Sequence, residues 1–237
     1  MEGRAVVVTG ATGILGEAVV RRYLAAGAHV AVPVRDAAKG AALQATVAAL
    51  AGEGETARLL VLEAEPADRA AMDRVVEAVM TRWGRLDALA NLAGGFARSD
   101  PWDLDALERL WAQNVRTAVV ATAACLRPMR ARAYGRIVSV GAFGANRGGK
   151  DGAAYSMAKT ALVRWTESLA AALKDEGITA NVVQPSIIDH PVNRTAMPSA
   201  DPAKWVRPDE LAAVIVFLTS KDASGVTGAA IPVVGRV

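Results

Sequence analysis

Ala5-Val6-Val7-Val8-Thr9-Gly10-Ala11-Thr12-Gly13-Ile14-Leu15-Gly16 begins as a β-branched apolar run and ends as a glycine turn. The run reads as a buried strand. A helix follows through residue 26 and is stopped by Gly27. Strand, glycine turn and helix in this order form the context of a nucleotide site. The glycines allow close backbone approach, and the helix N-terminus offers free N–H groups to a pyrophosphate. Gly10, Thr12, Gly13, Ile14, Leu15 and Gly16 are therefore candidate cofactor-binding residues. Taken alone, the same stretch also reads as a tight strand–helix turn with no ligand.

The alternation continues to the end of the chain. A second strand over 28–34 ends at Arg35-Asp36, and residues 37–51 read as an Ala-rich helix before a turn at Gly52-Glu53-Gly54. A third strand over 58–62 precedes a helix to Trp83 with Asp68 as its N-cap. A fourth, over 86–92, leads into Ala93-Gly94-Gly95. The long helical stretch 104–132 carries Asn114 and is expected to break near Pro128. A fifth strand, 136–140, ends on Ser139-Val140-Gly141-Ala142. The helix that starts at Gly152 runs to about Asp175, and a sixth strand over 178–183 is closed by Pro185-Ser186. Residues 186–206 are Pro-rich and irregular, 208–220 helical, and 229–234 a last strand. Alternating strands and helices predict one Rossmann-type doubly wound α/β domain over 1–237. Its parallel sheet has about seven strands, with helices on both faces.

Composition narrows the function. The chain has 237 residues, 52% hydrophobic and 22% charged, which makes it globular. The formal net charge is +3 with interspersed signs, although the sequence pI is about 9.2, so no basic stripe points to nucleic acid. Cys125 is the lone cysteine, which excludes an intrachain disulfide or cysteine cluster, and His29 and His190 lie far apart, so no metal is expected. No apolar run suits a bilayer span, and Met1-Glu2-Gly3-Arg4 leads into a strand without a secretory leader. A cytoplasmic protein acting on a small molecule is expected.

Tyr155 and Lys159, four apart, project from one helical face. An ammonium beside a phenol favours phenolate and is expected to lower the Tyr155 pKa, which suits a general acid/base. In a parallel sheet ligands sit outside the carboxyl ends of the strands. The glycine turn, Ser139 and the start of the Tyr155 helix all lie there, and a serine hydroxyl beside the tyrosine can hold a substrate oxygen. At the end of the second strand Val34 stands where an acid would accept a ribose 2′-hydroxyl. Arg35 follows it, which favours the 2′-phosphate of NADP(H), with NAD(H) as the lesser option. Lys39 adds a charge, and Asp36 is expected to cap the helix that follows it.

With Thr9-Gly10 through Gly16, Asn91-Leu92-Ala93-Gly94, Asn114, Ser139 and Tyr155-Ser156-Met157-Ala158-Lys159, the chain resembles the short-chain dehydrogenase/reductase family over nearly its whole length. The resemblance implies that Tyr155 is the acid/base and that Ser139 orients the carbonyl. Lys159 would hold the nicotinamide ribose and lower the Tyr155 pKa, and Asn114 would anchor a water in a proton relay. It also implies cofactor contacts at Asn91, Ala93, Gly94, Pro185 and Ile188, and a homodimer or homotetramer. Ala118-Ala121-Ala124 and Ala158-Ala161 supply small faces for close helix approach. The chain departs from the family pattern at four places. Ile14 stands for the second glycine, Glu65-Pro66 for an acid before a hydrophobic residue, Ser186 for a glycine, and His190 for a threonine.

Residues 189–201 with Trp205, and Ala93-Gly94-Gly95, also resemble the substrate loop region of dihydropteridine reductases. Those enzymes generally have an acid after the second strand and lack the serine, whereas this chain has Val34-Arg35 and Ser139. Phe96, Phe143, Met197 and Trp205, with Trp102, suggest a partly hydrophobic pocket, and 186–206 a substrate loop. An NADPH-dependent carbonyl reductase, or the reverse alcohol dehydrogenase, is the leading reading. A pteridine reductase-like enzyme and a non-catalytic redox sensor are the alternatives.

Overall fold

The computed structural model describes residues 1–50 and 53–237. In β1 (Ala5–Thr9), β2 (His29–Val34), β4 (Ala88–Asn91), β5 (Gly135–Val140) and β6 (Ile178–Pro185), buried side chains alternate between two apolar layers. With β3 (Leu59–Glu63) and β7 (Ala230–Val233) they form one seven-stranded parallel sheet in the order β3-β2-β1-β4-β5-β6-β7.

Val6, Val8, Val30, Val32 and Val138 face α1 (Gly16–Ala25), α2 (Ala37–Leu50) and α9 (Pro208–Leu218), where Tyr23, Leu24, Leu211 and Ile215 pack. Ala5, Val7, Leu89, Ile137 and Ala180 face the other layer of α4 (Arg69–Trp83), α6 (Thr117–Ala131) and α7 (Ala153–Leu173). Two shorter helices, α3 (Glu53–Thr56) and α5 (Leu104–Trp111), complete the frame up to β5. The first turns of α4 and α5 are capped by Asp68 and Asp103 carboxylates, which accept from Ala71 and Ala106 N–H. No described helix is long and apolar enough to cross a membrane.

Three expectations are corrected. The helix over 104–132 does not break at Pro128, which lies buried inside α6 with Cys125 and Met129 packed on the sheet around it. Apolar burial holds the helix across the one hydrogen bond that proline cannot make. The interruption is instead a π turn at Ala112–Arg116. Residues 186–206 are not irregular throughout. They contain α8 (Pro191–Ala196) and a 3₁₀ turn at Pro202–Lys204. Asp189 stabilises this segment, accepting both arms of Arg194 at 2.6 and 2.7 Å while its own N–H donates to Val206 O at 2.7 Å. The turn expected at 52–54 lies partly outside the described residues, and α3 begins at Glu53. Of the alanines expected at an oligomer contact, Ala161 is half-buried on α7 and the other four are reassigned. Ala118, Ala121, Ala124 and Ala158 are buried within the subunit, where they let α6 and α7 approach their own core.

Candidate active site

The strand order reverses direction between β1 and β4, and the crevice at that switch point is where such sheets take ligands. Thr9, the last residue of β1, turns its hydroxyl across the crevice. Its Oγ1 accepts the N–H groups of Leu92 and Ala93, each at 3.2 Å. That ties the turn after β4 to the glycine turn, a role for Thr9 beyond its place in the motif. Gly10 has φ +67°, and a Cβ there would stand 2.6 Å from Ala93 N. The turn closes by Gly13 N–H to Gly10 O and Gly16 N–H to Gly13 O, both at 3.0 Å. Helix α1 starts at once and, unlike α4 and α5, has no side-chain cap. The Gly16 N–H is taken up inside the turn, so the N–H groups of Glu17 and Ala18 are the ones this uncapped end offers to an anion. Ile14, in place of a glycine, is exposed, with 39% of its surface open to water. The backbone cradle and uncapped helix fit a dinucleotide pyrophosphate.

Ser139 pairs in register with Asn91 at the ends of β5 and β4. Its hydroxyl is fully buried and has no hydrogen-bond partner, an unmet requirement that a bound group can satisfy. Asn91 donates to Thr122 Oγ1 at 3.2 Å, and its Oδ1 is likewise unpartnered. Lys159, on the second turn of α7, donates to Val140 O at 2.7 Å. That bond joins α7 to the residue beside Ser139. Gly94 has both Asn114 and Lys159 close against it. A Cβ at Gly94 would lie 2.6 Å from Asn114 Oδ1 and 3.2 Å from Lys159 Nζ. Asn114 sits in the π turn, fully buried. Its Nδ2 donates to Gly95 O and Leu110 O at 3.0 and 2.9 Å, and its Oδ1 accepts Gly95 N–H at 3.2 Å. Both amide protons are engaged, and one lone pair of Oδ1 remains.

Tyr155 is half-buried on the first turn of α7, with the Phe96 ring set edge-on at 5.1 Å and 85°. The expected lowering of its pKa is not found. Burial pushes the Tyr155 phenol up to about 12. Burial also brings Lys159 down to about 8. The ammonium is directed at Val140 O and lies 5.9 Å from the Tyr155 ring centre, so desolvation outweighs its attraction for the phenolate.

The other expected residues divide. Phe96 and Phe143 are exposed beside the site and Met197 is half-buried in the 186–206 segment. Trp205 is corrected: only 3% exposed, it is a packing residue, with the C-terminal Gly235 close against its backbone. Pro185 ends β6, and Ile188 lends its carbonyl to Asn193 Nδ2 at 2.8 Å. Ser186 donates its hydroxyl to Val234 O at 2.8 Å, and His190 Nδ1 turns back to accept Val192 N–H at 3.3 Å. Near the end of β2, Asp36 caps α2 as expected, accepting from Ala38 and Lys39 N–H. Thr12, Gly13, Lys39 and Thr46 line a hollow of about 280 Å³ beside the glycine turn. No motif in the sequence singles out Gln184. It is buried at the end of β6 and donates to Asn146 Oδ1 at 2.9 Å, bracing the turn that carries Phe143.

The fold and this crevice define a doubly wound, dinucleotide-binding α/β protein. A family model described as short chain dehydrogenase matches residues 4–200. The chain belongs to the short-chain dehydrogenase/reductase family, whose members bind NAD(P)(H) and carry out hydride-transfer oxidoreduction. Cyclohexanol dehydrogenase of a Rhodococcus species is 29% identical, over 99% of this chain and 96% of its own length. The 3-oxoacyl-acyl-carrier-protein reductase MabA of Mycobacterium tuberculosis is 30% identical, over 98% and 92%. Among solved structures, a short-chain dehydrogenase/reductase from Serratia marcescens superposes with a TM-score of 0.86 at 32% identity, covering 99% of this chain and 98% of that one.

Proposed function

We propose that the protein is an NADPH-dependent carbonyl reductase that also runs the reverse alcohol oxidation. The observation that carries this reading is the buried, unpartnered Ser139 hydroxyl, next in the chain to the Val140 carbonyl that Lys159 holds. A bound nicotinamide would supply the hydride. Ser139 would donate to the substrate carbonyl oxygen and fix its position. Tyr155, protonated through the neutral range at a pKa of about 12, would give its proton to the oxygen as charge develops there. Lys159, still cationic at neutral pH, would contact the nicotinamide ribose and stabilise the phenolate left behind. Asn114 Oδ1 would hold a water that returns a proton through Lys159. Phe96, Phe143 and Met197 would give the substrate a partly apolar berth, with 186–206 as the loop that covers it.

The cofactor preference rests on Arg35, on Asp36 turned away onto its helix, and on Thr12 and Lys39 at the same hollow. The relatives' names, cyclohexanol dehydrogenase and 3-oxoacyl-acyl-carrier-protein reductase, describe an alcohol and a ketone, which suits a site built to hold a carbonyl oxygen. The test is a panel of cyclic ketones, β-keto esters and a quinonoid dihydropterin, read by nicotinamide absorbance with each cofactor. Turnover of ketones, faster with NADPH, is expected. Turnover of the pterin alone would favour the pteridine reductase, and tight cofactor binding with no turnover would favour a sensor.

A homodimer or homotetramer is proposed as well. Leu104, Trp111, Val119 and Met157 are exposed on α5, α6 and α7, an apolar set that a second copy would cover. Light scattering at micromolar concentration should give at least twice the 24.6 kDa chain mass. A monomer would overturn this.

A further inference from the structure

The ends of β2 and β3 lie side by side. Val34 pairs with Glu63, and the ladder continues with Ala64 N–H donating to Val34 O at 2.8 Å. Arg35 and Glu65, just beyond it, face each other, with Arg35 Nε 3.8 Å from Glu65 Oε2. Glu65 is held in place locally. Its Oε1 accepts Ala67 N–H at 3.1 Å and its carbonyl accepts Asp68 N–H at 2.9 Å, so the second carboxylate oxygen is the one turned to Arg35. Asp36 does not compete, because its Oδ1 takes the two amides at the start of α2. Among the described residues Glu65 is the one ion-pair partner of Arg35.

We propose that Glu65 is a specificity-determining residue that competes with a 2′-phosphate for Arg35 and so narrows the preference for NADP(H) over NAD(H). The inference rests on the reading of Arg35 as the phosphate ligand. A guanidinium grips phosphate through two parallel N–H groups, and to do so Arg35 must turn from the carboxylate. The Glu65 charge also repels the phosphate directly, and both effects have the same sign. The pair is well exposed, with 68% of the Arg35 side chain and 45% of that of Glu65 open to water. The expected effect is therefore modest, about three- to tenfold in affinity.

The experiment is calorimetric titration of adenosine 2′,5′-bisphosphate and adenosine 5′-monophosphate into the parent, Glu65→Gln, Arg35→Ala and the double variant. Glutamine keeps an oxygen for the Ala67 N–H, so the turn survives. Glu65→Gln should tighten the bisphosphate about three- to tenfold and leave the monophosphate unchanged, and most of that gain should vanish in the Arg35→Ala background. If Arg35→Ala weakens the bisphosphate while Glu65→Gln changes nothing, or shifts both ligands equally, the role of Glu65 is overturned and the Arg35 reading stands. If Arg35→Ala leaves the bisphosphate as tight as in the parent, the Arg35 reading falls and takes this inference with it.

Discussion

Tyr155→Phe is expected to lower kcat for ketone reduction at least about a hundredfold while leaving dinucleotide affinity nearly unchanged, since general acid catalysis contributes on that scale. The substitution removes one oxygen. The ring stays on the first turn of α7, keeps its edge contact with Phe96, and loses only the transferable proton. Burial has already set that proton for donation, because a phenol near 12 is fully protonated at neutral pH and an alkoxide is a stronger base than the phenolate. Lys159 sets the other limit. Burial holds it near 8, so it carries its charge below that pH and loses it above. The parent rate of reduction should therefore be level below about pH 8 and fall as pH rises through it, where the phenolate loses its counter-charge. Steady-state kinetics across pH with the parent, and single-pH kinetics with the variant, check both parts. A variant that keeps most of its rate removes Tyr155 from the chemistry.

Much of the frame was legible in the sequence because it follows from local chemistry. Val6-Val7-Val8 has no other way to be buried on both sides, and Asp68 and Gly177 punctuate helices at the places expected of a cap and a stop. The features that were not legible depend on contacts across the fold. The π turn at Asn114 is accompanied by amide bonds to both Gly95 and Leu110, and no spacing in the helix announces it. Pro128 ought to break a helix by local rules, but the packing of Cys125 and Met129 overrides them. Trp205 and the alanines of α6 have the composition of surface or pocket residues, and only the tertiary structure shows them inside. The direction of the Tyr155 shift departs from the expectation for a related reason. Spacing on a helix places Lys159 beside it but says nothing of the Val140 carbonyl that draws the ammonium away, nor of how dry the site is.

Asp87→Asn should cost about 3 kcal/mol of stability at pH 7 and lower Tm by roughly 6–12 °C without changing kcat of the folded enzyme. Asp87 lies at the opposite end of the sheet from Ser139, just before β4, and its side chain is 1% exposed. It accepts both arms of Arg85 at 2.7 Å and the Ala5 N–H at 2.9 Å, and Arg4 Nη1 stands 3.5 Å away. Arg4 and Arg136 in turn lie over the Tyr134 ring, 4.5 and 4.3 Å from its centre. Three arginines thus gather where one carboxylate supplies the negative charge. Asparagine keeps the shape and the Ala5 hydrogen bond but removes that charge, leaving buried cations uncompensated. The loss falls at the low end for a buried pair because about a third of the Arg85 side chain reaches water. Burial alone would raise the Asp87 pKa. The Arg85 fork, the Ala5 amide and the Arg4 charge together outweigh it and hold the carboxyl below its ordinary value. A carboxyl lowered on folding contributes stability above its unfolded pKa, near 4, and loses it as pH falls through the folded value. Thermal melts at pH 7 and pH 3 should therefore show a wide gap between parent and variant that narrows in acid. An equal Tm at pH 7 would mean that the arginines relax into water without Asp87, and that this end of the sheet is held by packing alone.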